Sequence, residues 1–126
     1  MSKRKPTNDI YRTKLLEQQA QAERLLLSTV QEGRKIESED RIDPADQAVL
    51  SYQRELIFSR GTDERTHLAL IQMALQRLND GSYGECQLCG EPIGPKRLAA
   101  VPWTPYCIGC QEKVENGEVE EPERAA

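Results

Sequence analysis

The 126-residue chain is poor in large aromatic side chains: four tyrosines, one tryptophan and one phenylalanine make up 5% of it, against 37% hydrophobic and 30% charged residues. So few rings do not favour one large globular core. A composition rich in Leu, Gln, Glu and Arg suits long helices instead. No apolar run approaches the roughly 18 residues of a membrane span, so no membrane partner is expected. Histidine is nearly absent: His67 stands alone and reads as a helix-surface residue, not as a metal ligand or general base. Positive charge is also short, with 17 Lys and Arg against 21 Asp and Glu, for a net charge of −4. That balance disfavours binding along a nucleic acid backbone, which relies on clustered cations. No secretory-signal pattern and no internal repeat are visible, and the expected location is cytoplasmic.

What the chain does have is four cysteines, all in the stretch Gly81–Cys110. Cys86 and Cys89 form one C-x2-C pair, Cys107 and Cys110 another, with seventeen residues between the pairs. This falls in the zinc-ribbon range. Each short spacer lets one turn supply two thiolates to one tetrahedral Zn2+, and four sulfur ligands close the metal to substrate. One structural Zn2+ per chain is therefore expected, without catalysis at the metal. Disulfides would require an oxidising compartment, and a redox C-x-x-C would leave the second pair unexplained. Gly90 and Gly109 are placed to relieve the two turns, because glycine accepts positive φ. Lys96 and Arg97 are candidates to offset the −2 charge of a zinc tetrathiolate. Tyr83, Trp103 and Tyr106 lie in the same stretch and promise it a small core of its own.

Upstream, residues 1–8 read as a flexible start in which Lys3, Arg4 and Lys5 are basic and Pro6 discourages an earlier helix. A first helix is predicted from about Asp9 to Glu39, with Asn8 or Asp9 as cap. Its apolar stripe is Leu15, Leu16, Ala22, Leu25, Leu26, Val30 and Ile36. Gly33 is a weak point in it. Between Glu37 and Asp46 five acids (Glu37, Glu39, Asp40, Asp43, Asp46) face one base, Arg41. Asp43-Pro44 is a helix start, with Asp as N-cap and Pro at the first helical position. Asp46 then falls in the first turn, beside the positive end of the helix dipole. A second helix is predicted from Pro44 to Asn79, with Leu50, Ile57, Ile71 and Leu78 in a seven-residue register broken by Glu64, and Leu68 and Leu75 broadening the stripe. Gly61 and Glu64 mark a looser segment. Two such helices pack as an antiparallel hairpin whose acidic end, near residues 39–48, faces solvent. Asn79-Asp80-Gly81 stops the second helix. After Cys107 a short helix to about Val114 is expected, and residues 116–126 read as an acidic disordered tail. The fold class is all-α: a coiled-coil hairpin (9–80) with an acidic tip, followed by a four-Cys zinc finger (81–115).

Gly81, Tyr83, Gly84, Cys86, Cys89, Gly90, Ile93, Arg97, Leu98, Pro102, Cys107 and Cys110 together resemble the DksA/TraR family of bacterial RNA polymerase-binding zinc-finger factors. Asp43, Asp46 and Ala48 resemble, separately, the Asp-x-x-Asp-x-Ala signature of that family's hairpin tip. The resemblance covers about residues 9 to 115. It implies a monomeric regulator that binds the core RNA polymerase directly, without promoter-sequence recognition. The tip would enter the secondary channel between the β and β′ subunits, where Asp43 and Asp46 alter initiation complexes and the small Ala48 permits close approach. Some members bind guanosine tetraphosphate at the polymerase interface through basic residues. The corresponding positions here hold Leu70, Val101 and Gln111, so the alarmone site is not expected unless Arg65, Lys113 or another base substitutes. Two other readings fit parts of the pattern. One is a transcript-cleavage factor whose tip carboxylates hold a second magnesium ion; the other is a general zinc-ribbon adaptor.

Overall fold

The computed structural model describes residues 6–37 and 43–121. The basic start Lys3–Lys5, the tip residues Glu39, Asp40 and Arg41, and tail residues 122–126 lie outside the described residues. Four helices follow in order: α1 Pro6–Glu37, α2 Pro44–Asp80, α3 Pro95–Ala100 and α4 Ile108–Glu115. No strand occurs among the described residues; the one β-type pairing is an isolated bridge between Glu85 and Pro92. No described helix is long and apolar enough to cross a membrane. The chain divides into two units, one of Glu17–Ala69 and one that gathers the start of α1, to Leu16, with everything from Leu70 onward.

In the Glu17–Ala69 unit α1 and α2 run antiparallel. Thr29 meets Glu64, Glu32 meets Arg60, and Gly33 lies against Ile57. The inward series on α1 is Leu15, Ala22, Thr29 and Ile36, with Leu15, Ala22 and Thr29 buried and Ile36 half-buried. Leu16 and Leu25, counted in the stripe from sequence, are exposed. A seven-residue seam is narrower than a 3.6-residue stripe and leaves them on its flanks. On α2 the series is Leu50, Ile57, Glu64, Ile71 and Leu78. The register expected to break at Glu64 does not break, because Glu64 occupies its seam position and is only 8% exposed. The Thr29 hydroxyl donates to Glu64 Oε1 at 2.5 Å, with Oε2 at 3.1 Å. Each polar seam residue therefore answers the other. Gly61 is buried beside this pair, and a methyl group there would stand 3.7 Å from Thr29 Cγ2. The segment predicted to be loose is instead one of buried contact between the helices.

In the other unit Leu15, Ile71, Ala74 and Leu78 are buried, and Arg12 donates to the Asn79 side chain at 2.8 Å. α1 begins at Pro6, three residues before the sequence-based start; proline fits the first helical turn, where no N–H is needed. α2 ends as expected. The N–H groups of Gly81 and Ser82 both bond the Arg77 carbonyl, and Gly81 holds φ +87. That closing motif needs a left-handed residue, which glycine supplies at little cost. Hydrogen bonds from Ser82 to Asp80 fix the next turn and hold the Asp80 carboxyl below its ordinary pKa.

The buried pair gives a stability prediction. Thr29→Val keeps shape but leaves the Glu64 carboxylate without its donor, at a cost of about 1.5–3 kcal/mol. Thr29→Ser keeps the hydroxyl and loses much less. Urea denaturation of the two variants beside the parent checks this; equal midpoints for Val and Ser would show that the bond contributes nothing.

Candidate functional site

The finger begins where α2 stops. Cys86 N–H bonds the Glu91 carbonyl and Gly90 N–H returns to the Cys86 carbonyl, each at 2.9 Å. This closes a tight turn around Cys86 and Cys89. Gly90 holds φ +76, so the turn uses the freedom expected of it. The second pair is built differently. Cys107 is the N-cap residue of α4 and Cys110 lies in its first turn. Gly109 is inside that helix and is not among the positive-φ glycines. Residues three apart on a helix share a face, so α4 places two sulfurs together without the glycine turn expected from sequence.

All four cysteine Sγ atoms lie within 4.8 Å of one another, and those of Cys89 and Cys107 are 3.9 Å apart. A Zn–S distance near 2.3 Å gives a tetrahedron edge of about 3.8 Å. The donor set and its size therefore fit one Zn2+. The thiols differ in their readiness to ionise. Burial pushes Cys86 up, but the backbone N–H groups of Cys89, Cys107 and Leu88 together outweigh it and bring the pKa down to about 6. Hydrogen bonding with Cys107, reinforced by burial, pushes Cys110 up to about 12. A cluster that already holds one thiolate resists the next, and a divalent cation removes that resistance.

The surrounding core is small: Cys86, Ile93, Leu98, Tyr106 and Cys110, with Tyr11, Tyr83, Leu88 and Val114 packed on it. Trp103 is half-buried at its edge. Arg97 is held in place by specific hydrogen bonds. Its Nε donates to the Tyr106 carbonyl and its Nη2 to Thr104 Oγ1, both at 2.9 Å, bracing the segment that leads into Cys107. Lys96 is exposed. Tyr83 donates its hydroxyl to the Pro102 carbonyl at 2.8 Å and stacks obliquely on Tyr11, ring centroids 5.3 Å apart. Burial raises the Tyr83 pKa, so it stays a donor. Sequence reasoning missed α3, the Thr104–Arg97 brace and the buried Arg77. For α3 a signal was present: Gly94-Pro95 places proline at the first helical position.

At the tip, Asp43 Oδ1 accepts the Asp46 N–H at 3.0 Å, and the Asp43 carbonyl accepts the Gln47 N–H. Asp43 is thus the N-cap and Asp46 the third helical residue, as the Asp-Pro signal predicts. Asp43, Asp46 and Ala48 are all exposed. The Asp46 carboxylate itself takes no hydrogen bond or ion pair among the described residues. Of the positions set against an alarmone site, Leu70, Val101 and Gln111 are half-buried and uncharged, and His67 is a half-buried residue of α2.

Replacing Cys89 with Ser removes one thiolate from a closed four-ligand site. Elemental analysis should then fall below about half an equivalent of zinc, and the finger should lose proton-NMR dispersion, since in small sites binding energy is folding energy. Full zinc retention in Cys89→Ser would mean that the four sulfurs do not share one ion.

Comparison with known proteins agrees with this site. The model of the prokaryotic dksA/traR C4-type zinc finger matches residues 81–116. An uncharacterized protein of Aquifex aeolicus is 36% identical over 104 residues, 81% of this chain and 72% of that protein. The RNA polymerase-binding transcription factor DksA of Caulobacter vibrioides is 39% identical over 82 residues, 65% of this chain but only 58% of that factor. The structure of transcription factor DksA2 from Pseudomonas aeruginosa has a TM-score of 0.76 at 35% identity, covering 88% of this chain and 84% of that one. With a C4 finger assigned to these same cysteines, the metal is a structural Zn2+. The chain belongs to the DksA/TraR family of C4-type zinc-finger proteins.

Proposed function

We propose that the chain binds RNA polymerase directly and regulates transcription. The name of its Caulobacter relative, an RNA polymerase-binding transcription factor, supports this. In the finer reading the hairpin tip enters the secondary channel and acts near the active centre, between the β and β′ subunits. The protein acts as a monomer, without reading promoter DNA and without a reaction of its own. The observation that carries the finer reading is the state of the tip. Asp43 is occupied in capping α2, whereas the adjacent Asp46 carboxylate is exposed and unbonded among the described residues. A charge with no partner among the described residues is available for one on another protein. Ala48, one turn on and exposed, leaves room for another surface to approach α2.

The zinc finger has a supporting role. Four sulfurs fill the coordination of the metal, which supplies folding energy and no open position. The chain's own residues do the rest: Arg97 and Thr104 hold the approach to Cys107, and Tyr83 ties Pro102 to Tyr11.

Asp46→Asn keeps size and polarity, so its structural cost is at most about 1 kcal/mol. Asp43→Asn costs even less, because Asn caps as well as Asp. Both variants should fold, hold zinc and compete for polymerase like the parent, yet lose most of their effect on the lifetime of promoter complexes. Adding guanosine tetraphosphate to polymerase stripped of its own alarmone site should not restore that effect, since Leu70, Val101 and Gln111 offer no cation. Full activity of both variants would reduce the tip charge to a helix cap. Loss of polymerase binding would make the tip an anchor instead.

A further inference from the structure

On one side of the Glu17–Ala69 unit, α1 and α2 leave an open groove of about 420 Å³. Two glycines, one from each helix, line it. A methyl group at Gly33 would stand 3.4 Å from Ile57 Cγ2, and one at Gly61 would meet Thr29 and Arg65. The lining also carries Arg34 from α1 and Arg54 and Arg65 from α2, all exposed. Among the described residues none of the three is hydrogen-bonded or ion-paired to a carboxylate. Glu37 is the one acid in the lining. A second groove, lined by Glu32, Lys35 and Arg60, differs in this respect, because the Glu32–Arg60 ion pair crosses it. A chain of net charge −4 thus gathers three guanidinium groups, unpaired among the described residues, around one groove.

Phe58 lies at the edge of this groove and is 74% exposed, the highest value among the large apolar side chains described. Arg54, Phe58, Gly61 and Arg65 recur at steps of four, three and four, which is one face of α2. Arg54 and Arg65 are eleven residues apart, roughly 16 Å along the helix. One phosphate or carboxylate cannot reach both. The occupant must carry separate negative charges over about three helical turns, with an apolar group between them.

We propose that this groove docks an acidic amphipathic helix of a partner protein. Carboxylates of that helix bond Arg54 and Arg65 in the forked geometry guanidinium favours, with Arg34 adding charge. An apolar residue between them covers the exposed Phe58, a helix-in-groove arrangement. The site is separate from the tip at Asp43–Ala48 and does not use the metal.

The probe is a synthetic helical peptide with two glutamates eleven residues apart and leucines between them on the same face. Titrated into the full-length zinc-loaded protein, it should shift the backbone amides of Gly33, Phe58 and Gly61 and leave the finger amides in place. Fluorescence anisotropy should show at least about tenfold weaker binding to the Arg54→Ala/Arg65→Ala double variant, and to a peptide with both glutamates changed to glutamine, as the loss of two charge-assisted contacts requires. Phe58→Ala should weaken binding with all charges intact, by removing the exposed apolar contact. Both arginines are exposed, so circular dichroism of the double variant should match the parent. No binding, equal binding by the glutamine peptide or the double variant, or shifts centred on the finger would overturn the proposal. So would inorganic phosphate producing the same shifts and displacing the peptide, which would make the groove a simple anion site.

Discussion

Four thiols held within 4.8 Å of one another ionise together only around a cation, and the finger is organised by that constraint. Backbone N–H groups draw Cys86 down, while hydrogen bonding with Cys107 pushes Cys110 up, so the four sulfurs are not alike in readiness to ionise. Once the charge is balanced, a core of five buried residues suffices for the segment. The peripheral bonds then follow from where the sulfurs must be. Arg97 fixes the carbonyl just before Cys107, Tyr83 fixes the loop at Pro102, and α4 serves as the frame for two ligands.

A different device organises the hairpin. Its seams are apolar except where Thr29 and Glu64 meet. A buried carboxylate with a single hydroxyl donor is a poor source of stability but a good marker of register. Sliding either helix by one turn would leave the carboxylate in an apolar seam. Gly61 is buried alongside this pair.

Spacing and capping made the main features legible in the sequence. The two C-x2-C pairs gave the metal site, Asp43-Pro44 gave the start of α2, and Asn79-Asp80-Gly81 gave its end within one residue. What failed was whatever depended on the partner across a seam. Glu64 looked like an interruption because its pairing with Thr29, thirty-five positions away, leaves no local trace. Leu16 and Leu25 looked internal because apolar character alone does not tell a seam from its flank. The hydrogen bonds of Arg97 were not legible because the carbonyl it meets is set by the folded loop. Gly109 was misread because a helix and a glycine turn both satisfy a two-residue spacer.

The metal and the tip are separable: the metal folds one segment, while the tip holds a capped helix start and a carboxylate unbonded among the described residues. The central claim is that this exposed carboxylate turn reaches the catalytic interior of polymerase. A photo-crosslinking amino acid at Ala48, in complexes of the full chain with polymerase holding a stalled transcript, tests it most directly. The account predicts crosslinks to polymerase segments lining the secondary channel near the active centre, lost when the channel is blocked by a competing factor. Crosslinks confined to the outer surface of the enzyme, or to promoter DNA, would contradict it.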